Sequence, residues 1–212
     1  MKVPVLNASG EEVNSIDLPA DIFEVEINMG LMHQAYIRQM ANARLGTHKT
    51  QRRADVSRTS AKWYRQKGTG RARHGARNAT QFVGGGRPKG PVPHKYTKDM
   101  PRKMRQQAIR CALTALLRDN QLVFTDVLTL DAPKTKDMRQ ILDAVVGKDT
   151  RKTLVLMTVG GNEHVVNSIH NLSDVHVLRV NYLNMRDLLQ HDRVVVPLDA
   201  LEVIKSLWGQ AS

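Results

Sequence analysis

The alternation of apolar and polar positions breaks off early in this chain and resumes only half-way along it. KVPVLN (Lys2–Asn7) and the stretch around Val13–Ile16 read as two short strands turned at Ser9-Gly10. LMHQAYIRQMANARL (Leu31–Leu45) sets Met32, Tyr36, Met40 and Ala43 at helical spacing, which predicts an amphipathic helix closed by Gly46. Between Gly46 and Met100 no period holds for long, and large apolar residues are sparse. Order returns at Pro101, a residue suited to a helix start. PRKMRQQAIRCALTALLRDN then lines Met104, Ala108, Cys111 and Ala115 along one face. Strands are predicted at QLVFTD (Gln121–Asp126), TLVLMTV (Thr153–Val159), VHVLRV (Val175–Val180) and RVVVP (Arg193–Pro197). Helices are predicted at KTKDMRQILDAVV, in GGNEHVVNSIHNL with a cap near Asn162, at MRDLLQ and at LDALEVIKSLW. Strands apolar enough to be buried on both faces, alternating with helices, argue for a mostly parallel sheet.

Charge changes this picture. The 212 residues carry 32 Lys and Arg against 20 Asp and Glu, a formal net charge of +12. Gly46–Met100 holds 14 of the bases and only two acids, Asp55 and Asp99, so the rest of the chain has 18 of each sign and is neutral. The same segment holds eight of the 14 glycines and three of the eight prolines. A structureless stretch of that length inside a compact domain points to function or disorder. The predicted fold is therefore α/β, a mostly parallel sheet flanked by helices, with one long extended basic loop inserted after the first helix. Residues 1–45 and 101–212 form the globular domain and 46–100 the loop. Run out and back, ~27 residues per limb at ~3.3 Å each reach at most ~90 Å.

The loop chemistry is that of a nucleic-acid partner. Lysine and arginine neutralise phosphates and release counterions, and arginine adds bidentate contacts and stacking. Glycines at 68, 70, 75, 84, 85, 86 and 90 allow close backbone approach, and Trp63, Tyr64, Phe82 and Tyr96 offer stacking surfaces for unpaired bases. A basic flexible linker is the plain alternative. A second alternative is an α/β enzyme with a phosphate site at Gly160-Gly161-Asn162, where an ordinary strand-to-helix turn is the simpler reading. A third is a free RNA chaperone or regulator that joins no particle. GTGRARHG lacks the dinucleotide pattern and GGRPKG the phosphate-loop ending. No cofactor and no metal is implied: the eight histidines have no ligand spacing, and His164 and His170 read as helix-surface residues. Cys111 reads as a small core residue; a single cysteine permits no intrachain disulfide. Asp119, Asp131, Asp143 and Asp149 read as turn, cap and surface acids, and no catalytic set emerges. MKVPVLNASGEEV has no signal-like apolar run and nothing approaches a membrane span, so a soluble cytoplasmic protein without a membrane partner is expected.

WYRQKGTGRARHG (Trp63–Gly75), preceded by THKTQRRADVSRTS and followed by VGGGRPKGP, resembles the signature of the bacterial large-subunit ribosomal protein L-four (uL-four) family. KMRQQAIRCALTALL and DAPKTKDMRQIL extend the resemblance, densest from Arg44 to Leu117. The resemblance implies a non-enzymatic constituent of the large ribosomal subunit that binds large-subunit rRNA and aids subunit assembly. Its loop would thread rRNA to the nascent-peptide exit tunnel and meet a neighbouring ribosomal protein at a constriction. Carried over by position, rRNA contacts fall on Arg44, Lys49, Arg52, Arg53, Arg58, Lys62, Arg65, Lys67, Gly68, Gly70, Arg71, Arg73, Arg77, Arg87, Lys89 and Lys95. Residues facing the tunnel and the nascent peptide would be Lys62, Trp63, Tyr64, Arg65, Gln66, Lys67, Gly68 and Thr69. Many members place Pro-Trp before Arg-Gln-Lys-Gly where this chain has Trp63-Tyr64, so either ring is a candidate for the tunnel side.

Overall fold

The computed structural model describes residues 1–126, 128–148 and 150–209; Asp149 lies outside them. The chain forms two units, residues 1–40 with 99 onward, and residues 41–98. The first unit is an α/β body. Its strands are β1 (Lys2–Leu6), β2 (Glu12–Asp17), β3 (Leu122–Thr125), β4 (Thr153–Met157), β5 (Val175–Arg179) and β6 (Arg193–Pro197). They make one sheet in the order β2-β1-β3-β6-β4-β5. Only β1 and β2 run antiparallel, as the Ser9-Gly10 hairpin requires; the other four pairings are parallel.

Period-two alternation in the central strands divides the core in two. Leu154, Leu156, Val194 and Val196 face one side with Val5 and Phe124, under α3 (Arg102–Arg118) and α7 (Leu198–Trp208). Val155, Met157 and Val195 face the other, under α4 (Thr135–Val146) and α5 (Glu163–Ile169). Burial of β4 along its whole length is why it carries no polar alternation. Each such side chain contributes about 1.5–3 kcal/mol relative to exposure.

Three expectations need correction. A helical turn, α1 (Ala20–Phe23), precedes the long helix and buries Ile22 and Phe23 completely or nearly so. The long helix is α2 (Met29–Asn42), so the basic segment follows the second helix, and Ala43 and Gly46 lie beyond the helix end. Within α3, Met104 is exposed and Ala115 half-buried, whereas Ala108 and Arg110–Thr114 are buried. That half of α3 packs against α1 and α6 (Met185–Gln190) as well as the sheet, so it is enclosed on more than one stripe. The sixth helix and α7 begin and end where the pattern puts them. Cys111 is a fully buried core residue whose thiol donates to the Glu26 carbonyl at 3.3 Å.

On the α4 side, the Arg139 guanidinium binds both Asp143, at 2.9 Å, and Asp174, which precedes β5. The hydrogen bond from Arg139 holds the Asp174 carboxyl below its ordinary value of 3.8. A depressed folded value contributes stability above pH 3.8 that is lost as the pH falls through the folded value. Asp174→Asn should therefore cost up to about 1 kcal/mol near neutrality, both partners being about a third exposed. In urea unfolding, the gap from the parent protein should close progressively below pH 3.8; a gap that persists there would refute the assignment.

Candidate nucleic-acid interface

Residues 43–98 contain no helix or strand, so their geometry must come from hydrogen bonds and tight backbone contacts. Four backbone pairs join the outgoing and returning limbs: His94 N–H to Gly46 O at 3.2 Å, Thr50 to Pro91 at 3.1 Å, Arg87 to Gln51 at 2.8 Å and Trp63 to Gly75 at 3.0 Å. The pairs are nested, and Asn42 exchanges hydrogen bonds with the backbone of Lys98 outside them. Inside them the Tyr64 hydroxyl donates to Ala72 O, and Arg65 Nη2 donates to Gly68 O at 3.0 Å. Gly68 (φ +80°) and Gly70 (φ +63°) turn the innermost residues in a backbone region that side chains disfavour.

Asn78 is the one buried polar side chain of this unit. Its side-chain amide donates to Arg53 O at 3.0 Å, and its backbone carbonyl accepts from Gly86 N–H at 3.1 Å. A Cβ on Gly86 would lie 2.2 Å from Arg53 N, so only glycine lets the limbs meet there. Gly46 serves a similar contact, with His94 O at 2.0 Å from a Cβ position, and is no helix cap. Asn78 does not stand out as a binding residue in the sequence, and Gly86 is among the glycines expected to admit RNA, whereas in the structure it admits the opposite limb.

Every cation assigned to rRNA is exposed: Arg44, Lys49, Arg52, Arg53, Arg58, Lys62, Arg65, Lys67, Arg71, Arg73, Arg77, Arg87, Lys89 and Lys95. Among the described residues Lys49 alone of these has an acid, Asp55, at 3.7 Å. Arg58 donates to Val83 O at 2.8 Å, and Lys62 reaches Gln66 at 2.7 Å and His74 O at 3.3 Å. The side chains of Arg52, Arg53, Lys67, Arg71, Arg73, Arg87, Lys89 and Lys95 have no hydrogen-bond or ion-pair partner among the described residues. The unit therefore presents a concentrated positive surface with almost no internal neutralisation.

The aromatics differ from the row of open stacking platforms expected. Trp63 meets Phe82 edge-on at 5.1 Å, Phe82 meets His74 at 5.0 Å, and Arg77 sits over the Trp63 ring at 4.8 Å. Tyr96 packs against His94 at 4.3 Å and under Arg44 at 3.7 Å. With few apolar residues in the segment, the rings supply its small local cores. Trp63 still leaves 45% of its surface open, whereas Tyr64 is half-buried.

The body offers less. At Gly160-Gly161-Asn162, Asn162 Oδ1 caps α5 by accepting from His164 N–H at 2.9 Å, and its amide holds Leu130 O at 2.9 Å. Asp199 lines the adjoining hollow, a poor neighbour for phosphate, and α5 has seven residues. His164 and His170 are exposed on α5 and at its end. Asp119 caps α3, Asp143 pairs with Arg139, and Asp131 is exposed. Among the described residues no three His, Cys, Asp or Glu side chains are grouped to hold a metal, and no helix is long and apolar enough to cross a membrane.

Residues 16–207 match the model of the ribosomal protein L4/L1 family. The chain is 41% identical over 212 residues to the large ribosomal subunit protein uL4 of Dehalococcoides mccartyi, covering 100% of both chains. Against the protein of that name from Thermoanaerobacter sp. it is 37% identical over 209 residues, 98% of this chain and 99% of the relative. The Clostridium novyi protein is 37% identical over 207 residues, 98% of each chain. The similarity spans the body and the basic segment alike, and the chain belongs to the ribosomal protein L4/L1 family.

Proposed function

We propose that this protein is a structural constituent of the large subunit of the cytoplasmic ribosome, without catalytic activity, whose residues 46–100 form an extended arm that binds large-subunit rRNA and supports subunit assembly. The observation that carries the reading is the exposed cation set on a segment that has glycine-governed turns and a single internal acid pairing. Phosphates supply the missing counter-charge. Arg52, Arg53, Lys67, Arg71 and Arg73 are the principal phosphate ligands, because their side chains are uncommitted. Arg58, Arg65 and Arg77 add contacts through the donors their internal bonds leave free. The nested pairing supports an arm that runs out and returns. Lys62–Thr69, at its turn, then form the part that lines the nascent-peptide exit tunnel beside a loop of a neighbouring ribosomal protein. Of the two rings there, Trp63 is the one presented outward, since the Tyr64 hydroxyl is tied across the turn to Ala72.

The test is in-cell ultraviolet crosslinking with the bound RNA sequenced and the crosslinked peptides mapped. Crosslinks from residues 49–77 should concentrate on large-subunit rRNA near the tunnel. Crosslinks spread over messenger RNAs would favour the free regulator, and none at all would sink the reading.

A further inference from the structure

The neutral body carries its own concentration of positive charge, at a cavity of about 470 Å³ between α2, α3, the segment before α6 and the end of α7. Arg38 of α2 and Arg102 and Arg105 of α3 line it, and no lining residue is acidic. None of the three forms an ion pair among the described residues, and Arg38 Nε is buried without a hydrogen-bond partner. Their placement is electrostatically adverse. Arg102, Lys103 and Arg105 occupy the opening of a 17-residue helix whose first turn has no acid, where the helix dipole favours negative charge. The amides nearby are already satisfied: Gln39 Nε2 donates to Asn184 at 2.8 Å, and Gln106 donates to Leu207 O at 3.4 Å. They fix the walls and leave the guanidinium groups as the unmet donors.

The rest of the lining distinguishes this site from the basic arm. Its floor is apolar, formed by Ile109, Leu207 and Trp208. Leu207 is 40% exposed. Lysine is absent from the lining. Arginine with tryptophan and methionine (Trp208 and Met185), without lysine, is the composition of a protein-binding centre, where flat guanidinium forks take carboxylates and an apolar floor takes apolar side chains. A phosphate backbone makes no use of exposed Leu207.

We propose that this cavity is a docking site for an acidic segment of a partner protein, one that sets carboxylates on Arg38, Arg102 and Arg105 around an apolar side chain seated on Ile109, Leu207 and Trp208. It stands whether or not the arm binds RNA, because no arm residue contributes to it.

The test uses the full chain with Asn181→Cys carrying a benzophenone; Asn181 is exposed in the cavity wall, and Cys111 is too buried to compete for the label. The probes are a peptide alternating glutamate and leucine, the same peptide with lysine for glutamate, and an oligouridylate. Irradiation should join the glutamate peptide alone to the labelled position. Adding Arg38→Gln, Arg102→Gln and Arg105→Gln should cut that adduct at least tenfold while crosslinking of the arm to rRNA is unchanged. Equal adducts from the lysine peptide, preference for the oligouridylate, or an adduct insensitive to the three substitutions would each overturn the proposal.

Discussion

A protein carrying Arg71→Glu and Arg73→Glu should be absent from large ribosomal subunits while remaining folded. Both side chains are exposed and have no internal partner, so the substitutions remove nothing from the fold. Folding controls should show an unchanged unfolding midpoint. Binding is another matter, since each change withdraws a positive charge from phosphate and puts a negative one in its place. The two sites lie two residues apart beside Gly70, where no atom approaches the glycine Cβ position within 4 Å and the surface is open to a partner. A loss of ~100-fold or more in affinity for large-subunit rRNA follows for two inverted contacts in a charge-driven interface. Sucrose-gradient fractions probed for a tagged copy decide it. Normal incorporation would show that the K-G-T-G-R-A-R stretch is not where this chain meets RNA.

The second large effect is steric. Gly86→Ala should open the segment without disturbing the body. The added methyl group would stand 2.2 Å from Arg53 N and 2.5 Å from the Arg52 carbonyl carbon, and both obstacles are backbone that no rotamer change can clear. The limbs must part, and parting them breaks Asn78 Nδ2–H to Arg53 O and Arg87 N–H to Gln51 O. Overpacking of this kind costs about 1–3 kcal/mol, which is large for a unit held by a few hydrogen bonds and two clusters of rings. Amide exchange at Arg87 and Trp63 should accelerate while exchange in β4 and β6 stays as it was. Gly70→Ala is the control: it meets nothing, so its cost is confined to the left-handed φ, about 1 kcal/mol. Equal behaviour of the two variants would mean that the Gly86 contact does not organise the segment.

The body was largely legible because its signals are redundant. RVVVP and LDALEVIKSLW combine an unbroken apolar run with a helical stripe and a proline between them, and both elements have the expected limits. α1 escaped because four residues cannot display a period; only Pro19 before an apolar pair hinted at it. The end of α2 was misplaced because Gly46 looks like a cap locally, whereas its reason for being glycine is His94, 48 positions on and invisible to any window. For the candidate interface, charge location was plain from composition, and the cations are exposed as their lack of counter-charges implies. What composition could not reveal is that Trp63, Phe82, His74 and Arg77 find one another, or that Asn78 is buried. Those are long-range pairings among residues whose types are equally at home in a solvent-exposed loop. The cavity beside the arginines of α3 was not legible either, because the emptiness around them is a property of three other elements.

The nested pairing of the basic segment has an arithmetic side. Gly46 with His94, Thr50 with Pro91, Gln51 with Arg87 and Trp63 with Gly75 tie four positions on one limb to four set positions on the other. The segment thus keeps count along both limbs at once. One residue inserted between Gln51 and Trp63 cannot be absorbed at the turn without putting the Trp63–Gly75 pair out of step with the three outer ones. A matched gain on the returning limb restores the count. Length changes in such a segment are tolerated in compensating pairs, or inside the turn between Arg65 and Gly70, which every pair encloses, so that an added residue shifts no pair against another. Away from the turn, a lineage can therefore lengthen or shorten this segment only by editing two distant stretches of the gene together.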